Sequence, residues 1–159
     1  MRASIVSTLA AATLLTTAAM AQTAQRQYSA KFICGRATPV EINAFLAAPG
    51  TYYTAINVHN PRLQNFITFR KKFAIGLPNQ KVGPISPFFT TTLKADEVLQ
   101  IDCGDIYAKM GIVPGTFIEG FAVIQPDSDL DVVAVYTADG GAGVSTLHTE
   151  RVPLRNTIP

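Results

Sequence analysis

The chain has 159 residues, with 13 Lys and Arg against 11 Asp and Glu, two cysteines and no tryptophan. A formal net charge of +2 gives no electrostatic footprint for nucleic acid and no basic stripe for an anionic membrane. The lack of tryptophan weakens a sugar-binding reading that relies on exposed indoles, although five tyrosines remain.

The first stretch is MRASIVSTLAAATLLTTAAMAQ. Arg2 supplies a short positive region, residues 5–18 are apolar and uncharged, and Ala19-Met20-Ala21 puts small residues where a signal peptidase reads. We expect residues 1–21 to be a signal peptide cleaved before Gln22. The apolar run is short for a membrane span, which needs roughly 20 residues, and no later stretch is long and apolar enough. The expected destination is the periplasm or the medium. What remains is one domain's worth of chain, enough to bury a substantial core. Residues 22–27 read as a flexible lead-in, 28–155 as a single domain and 156–159 as a tail.

Strand candidates then follow one another. In 28–34 (YSAKFIC), Tyr28, Ala30, Phe32 and Cys34 share one face, the period of two of a half-buried strand. Residues 36–49 connect, with one or two helical turns expected in 41–48 (EINAFLAA). The second strand covers 50–60 and the third 66–75 (FITFRKKFAI), read as a hairpin across 61–65. Lys71 falls on the apolar face of the third strand, so it needs a bulge or a place at the rim. Arg70-Lys71-Lys72 reads as a solvated sheet edge. Residues 77–87 hold three prolines and cannot be a regular central strand. Strands follow at 88–93 (FFTTTL) and 98–103 (VLQIDC), then a short helix at 104–110 that stops at Gly111. Residues 117–125 (FIEGFAVIQ) and 130–137 (LDVVAVYT) look like a second pair across 126–129. A last strand covers 144–152 (VSTLHTERV), after a glycine-rich loop (DGGAG).

About eight short strands and one short helix favour an all-β fold: an antiparallel β-sandwich, immunoglobulin-like or a related Greek key. Cys34 and Cys103, the only cysteines of an exported chain, are expected to form a disulfide. It would close a loop of roughly 70 residues, worth about 4 kcal/mol in the chain-entropy account.

The candidate sites are few. Along YTAINVHNP, Ile56 and Val58 point to the core, while Asn57 and His59 stand on the outer face near a turn. They are candidate ligand-binding residues. The competing role is hydrogen bonding to the turn at Asn60-Pro61. His148 lies far away in sequence, and no HxH or HxxxH spacing marks a metal site. Asp127, Asp129 and Asp131 superficially suggest a calcium loop, but its glycine and glutamate positions hold Val132 and Ala138. A solvated turn is expected there. Asp105 is placed to cap the short helix. No serine sits in GxSxG, and DGGAG does not lead from a strand into a helix. No cofactor and no metal is expected.

Taken together, YSAKFICG, YTAINVHNP, FRKKFAI, LQIDCGDI, FIEGFAVIQ, LDVVAVYTA and ERVP resemble a group of short exported bacterial β-rich proteins. The resemblance spans residues 28–153 in order. It implies export and a β-rich domain, and it carries no site residues. The expectation is a non-enzymatic module that binds a protein or a cell-envelope component, or serves a structural role there, with room for a homo-oligomer. Two alternatives compete with it. One is a subunit of an extracellular fibre or surface assembly, extended through an exposed strand edge. The other is an enzyme using His59 or carboxylates such as Asp102 and Asp105.

Overall fold

The computed structural model describes residues 25–38, 47–140 and 145–157. The expected leader, the expected helical turns up to residue 46 and most of DGGAG lie outside the described residues. The described chain is mostly β, antiparallel throughout, with one short helix. In order it runs β1 (Gln25–Ala37), β2 (Gly50–His59), β3 (Ile67–Gly76), β4 (Val82–Ile85), β5 (Phe89–Leu93), β6 (Val98–Asp102), α1 (Cys103–Met110), β7 (Ile118–Pro126), β8 (Asp131–Asp139), β9 (Ser145–Arg151) and β10 (Leu154–Thr157).

The strands form two halves joined through β1. In one half β3 lies between β7 and the short strands β4 and β5, and β7 pairs with β1, which also takes β10. In the other, β2 lies between β6 and β8, and β8 pairs with β9. β1 serves both: Tyr28–Cys34 pair with β7, then Gly35–Ala37 pair with β2. The switch falls at Gly35, whose φ is +88°. A Cβ there would stand 2.2 Å from the Thr116 carbonyl oxygen, so only glycine fits.

A single core draws on both halves. Phe32, Phe69, Phe73 and Ile124 come from one, and Ile56, Val58, Ile101, Val132 and Ala134 from the other. Phe32 and Phe73 meet edge to face, with ring centroids 6.5 Å apart. The alternation of β2 is as expected: Ile56 and Val58 are buried, and Asn57 and His59 face outward.

The pairing differs from the expected hairpins. β2 and β3 are not partners, and neither are β7 and β8. Each connection instead crosses from one half to the other, as does the turn between β5 and β6. The physical reason is that alternation fixes which face of a strand is buried and not which strand lies beside it. A loop of four or five residues serves an in-plane hairpin and a crossing arch equally. β3 is therefore an interior strand, and Arg70 to Lys72 are not on a sheet edge. Arg70 and Lys72 lie over the exposed Phe88 ring, at 4.5 and 4.8 Å from its centroid.

The two crossings after β2 and β5 are tied by Asn60, which is fully buried. Its side-chain amide nitrogen lies 2.7, 3.2 and 2.9 Å from the carbonyl oxygens of Asn65, Leu93 and Lys94. Its side-chain oxygen accepts from the Arg62 amide at 3.0 Å. The backbone adds Asn60 N–H to the Glu97 carbonyl and Asp96 N–H to the Asn60 carbonyl.

The chain ends also differ from expectation. Gln25–Tyr28 and Leu154–Thr157 pair with each other, so the expected lead-in and tail are partly strands. Backbone hydrogen bonds make this ladder, which is why polar sequences such as QRQ and RNT gave no alternation to read.

Lys71 keeps its inward position without a bulge, at the rim. Its Nζ donates to Thr91 Oγ1 at 2.7 Å and lies 5.4 Å from the Phe69 ring centroid. Burial lowers its pKa, with Asp105 opposing and Lys109 assisting. Lys71→Met retains the packed stem and removes the desolvated charge. The expected result in chemical denaturation is a stability unchanged or raised by about 1 kcal/mol. Because the folded pKa is depressed, folded Lys71 releases its proton before unfolded Lys71 does. Wild type should therefore gain on the variant as pH climbs toward 10.5.

Candidate functional site

Cys34 and Cys103 are joined, with their Cα atoms 5.7 Å apart. The bridge ties β1, just before its switch of partner, to the first residue of α1. It fills a break in the β2 ladder. Along the β2 side that faces β1 and β6, Gly50–Tyr52 pair with β1 and Ala55–His59 pair with β6. In the break between them, the Thr54 amide donates to Cys103 Sγ at 3.2 Å. Thr54 Oγ1 donates to the Ile33 carbonyl at 2.9 Å and accepts the Ile33 amide at 3.0 Å.

Helix α1 begins there because of a capping box. Asp102 is the N-cap and accepts the Asp105 amide at 3.0 Å, while Asp105 accepts the Asp102 amide at 3.2 Å. Asp105, expected as the cap, is thus the reciprocal partner three residues in. Gly111, in the left-handed conformation, ends the helix.

Over this break lies a pocket of about 430 Å³, within the usual range for small-ligand sites. β2 supplies Tyr53 and Ala55, β8 supplies Val135 and Thr137, and α1 with its cap supplies Asp102, Gly104 and Tyr107. Pro114 and Gly115 close it from the loop after α1. The wall is mostly apolar. The Tyr53 side chain is 55% exposed. The Tyr107 hydroxyl donates to the Thr116 carbonyl at 2.8 Å, and burial pushes its pKa up. Asp102 is the one carboxylate of the lining, and its oxygen already holds the helix start.

The residues singled out from the sequence fall elsewhere. Asn57 and His59 occupy the same outward row as Tyr53 and Ala55, further along β2, and neither lines the pocket. His59 Nε2 lies 3.0 Å from Asp96 Oδ1. The turn that Asn57 or His59 was expected to bond is held instead by Asn60. His148 stacks on Tyr136 of β8, with centroids 6.0 Å apart. The three aspartates of PDSDLD point to separate partners: Asp127 accepts the Thr68 amide, Asp129 pairs with Arg26 and Asp131 with Arg151. Among the described residues no three His, Cys, Asp or Glu side chains group to hold a metal ion. No described helix is long and apolar enough to cross a membrane.

The pocket was missed because its residues come from four separate stretches. One signal could have found half of it. LDVVAVYT is apolar at consecutive positions, which means that Val133 and Val135 face away from the core and leave an apolar outer row beside Ala55.

No family model matches the chain, and no curated protein matches it. Among solved structures it is similar to one described as the crystal structure of Thermotoga maritima 1070. The two share 10% sequence identity with a TM-score of 0.50, over 85% of this chain and 97% of that one. The likeness is one of fold.

Proposed function

We propose that the chain is an exported, non-enzymatic β-sandwich module of the immunoglobulin-like or Greek-key kind, acting at the cell envelope as a binding protein. On this reading the two halves are facing layers, and the ligand is a compact, largely apolar molecule seated between Tyr53, Tyr107 and Val135. The observation that carries the proposal is the pocket itself: an apolar concavity on the outer face, braced by a disulfide and a capped helix. The leader-like N-terminus, the cysteine pair and the resemblance to exported β-rich proteins support the destination. The pocket brings together neither a carboxylate pair nor a histidine with a nucleophile, which favours binding over catalysis.

The test is ligand-observed NMR with a panel of small aromatic and alicyclic fragments. Wild type should bind several, and Val135→Trp, which fills the space from an outward position, should weaken them at least about tenfold. A panel in which nothing binds, or in which the variant binds as wild type does, would overturn the proposal.

A further inference from the structure

β9 is an open edge. Its register with β8 is continuous from Val133↔Arg151 to Asp139↔Ser145, and among the described residues no strand pairs with its other side. Residues 146–151 are all exposed, and Leu147 is 71% exposed. Sheet edges are normally blunted by shortness, lysine, proline or a bulge, because free amides and carbonyls recruit other strands. The other edges here follow that rule. β4 has four residues including Pro84, β6 has five and runs straight into α1, and β5 and β10 have five and four. β9 has seven residues, STLHTER, with no lysine, no proline and no bulge.

We infer that the β9 edge is a self-pairing surface, and that two copies of this chain join through it as a two-fold dimer with Thr149 on the axis. This goes beyond the ligand-binding proposal and does not rest on it. A two-fold normal to the sheet pairs residues that share a face, which leaves few registers near the middle of the strand. Centring on Glu150 sets two carboxylates opposite each other, and centring on Arg151 sets two guanidinium groups opposite each other; like charges so placed are unfavourable. Centring on His148 leaves each Glu150 facing a threonine. Centring on Thr149 sets Glu150 opposite the partner subunit's His148, twice, so a carboxylate meets an imidazole in each pair. It also lays Arg151 against the partner subunit's Leu147, where the arginine stem covers an exposed apolar side chain.

Both inner-face residues are held ready. The His148 ring stacks on Tyr136, and the Tyr136 hydroxyl lies 3.4 Å from Glu150 Oε2. Once two β9 edges are joined, only blunted edges remain among the described residues, so the contact closes as a dimer and does not propagate.

Cysteine scanning of the purified chain, with its native disulfide formed, tests the register. Residues facing each other across an antiparallel pair have Cα atoms about 4.5–5.5 Å apart, within disulfide reach. Thr149→Cys should therefore give a covalent dimer on mild oxidation. Leu147→Cys should not, since its two copies would sit roughly 13 Å apart along the strands. Sedimentation should show a concentration-dependent dimer, and Thr149→Lys should raise its dissociation constant at least about tenfold with an unchanged circular dichroism spectrum. A chain that stays monomeric at high concentration, or cross-links at 147 and not at 149, overturns the inference, as do assemblies larger than a dimer. Dimerisation is read by sedimentation of the wild-type chain without added ligand and fragment binding by NMR, so failure of the pocket proposal and failure of this one read out separately.

Discussion

Asn60→Ala should destabilise the fold by about 3–5 kcal/mol, the combined cost of a cavity at a fully buried side chain and of bonds lost to one buried and three part-buried backbone groups. The side chain is fully buried and lies within reach of three carbonyl oxygens and one amide. Alanine adds a cavity as well as removing the bonds. Asn60→Asp should be no better, because it keeps the acceptor for Arg62 while aiming a second oxygen at carbonyl oxygens. Urea denaturation of the three proteins measures this directly. Losses below about 1 kcal/mol, typical of an ordinary hydrogen bond, would show that the two crossings hold without this clamp.

The second large effect concerns the bridge. Converting Cys34 and Cys103 together to alanine should cost about 4 kcal/mol, given a separation of 69 residues. Both cysteines are buried, and the Thr54 amide loses its sulfur partner in the break of the β2 ladder. A local consequence should accompany the global one. Fragment binding should weaken in the double variant even where it remains folded, because Cys103 anchors the start of the helix that forms one pocket wall. The measurements are a denaturation curve and the same NMR titration. A variant as stable as wild type, or one that binds fragments unchanged, would contradict this role.

Some of this was legible in the residues and some was not. The alternation of 28–34 and of Ile56 and Val58 identified the buried faces. The cysteine pair was readable from number and context, and Gly111 marked the helix end. Neighbours were harder. The links at 61–65 and 126–129 look like hairpin loops, yet each carries the chain across to the other half, and nothing in a period of two distinguishes the cases. The clamp was hidden for a related reason. Asn60 reads as a turn residue before Pro61, and its importance comes from Leu93 and Lys94, over 30 positions away. Asn57 and His59 stand out as outward polar side chains, whereas the pocket is built from Tyr53, Ala55 and Val135, outward residues of two strands whose adjacency no local pattern shows.

The ladder between β1 and β10 has a bearing on synthesis. Of the described strands β1 is made first, yet two of its partners, β7 and β10, follow only after β6 and α1. Apart from Gly35–Ala37, which pair with β2, this strand waits unpaired and partly apolar until β7 has been made. Closing so many distant pairings is intrinsically slow and leaves nascent chains prone to clumping. A molecule wired in this way gains from being kept extended until β7 and β10 are available, and truncation before residue 154 should leave the β10 side of β1 unfilled.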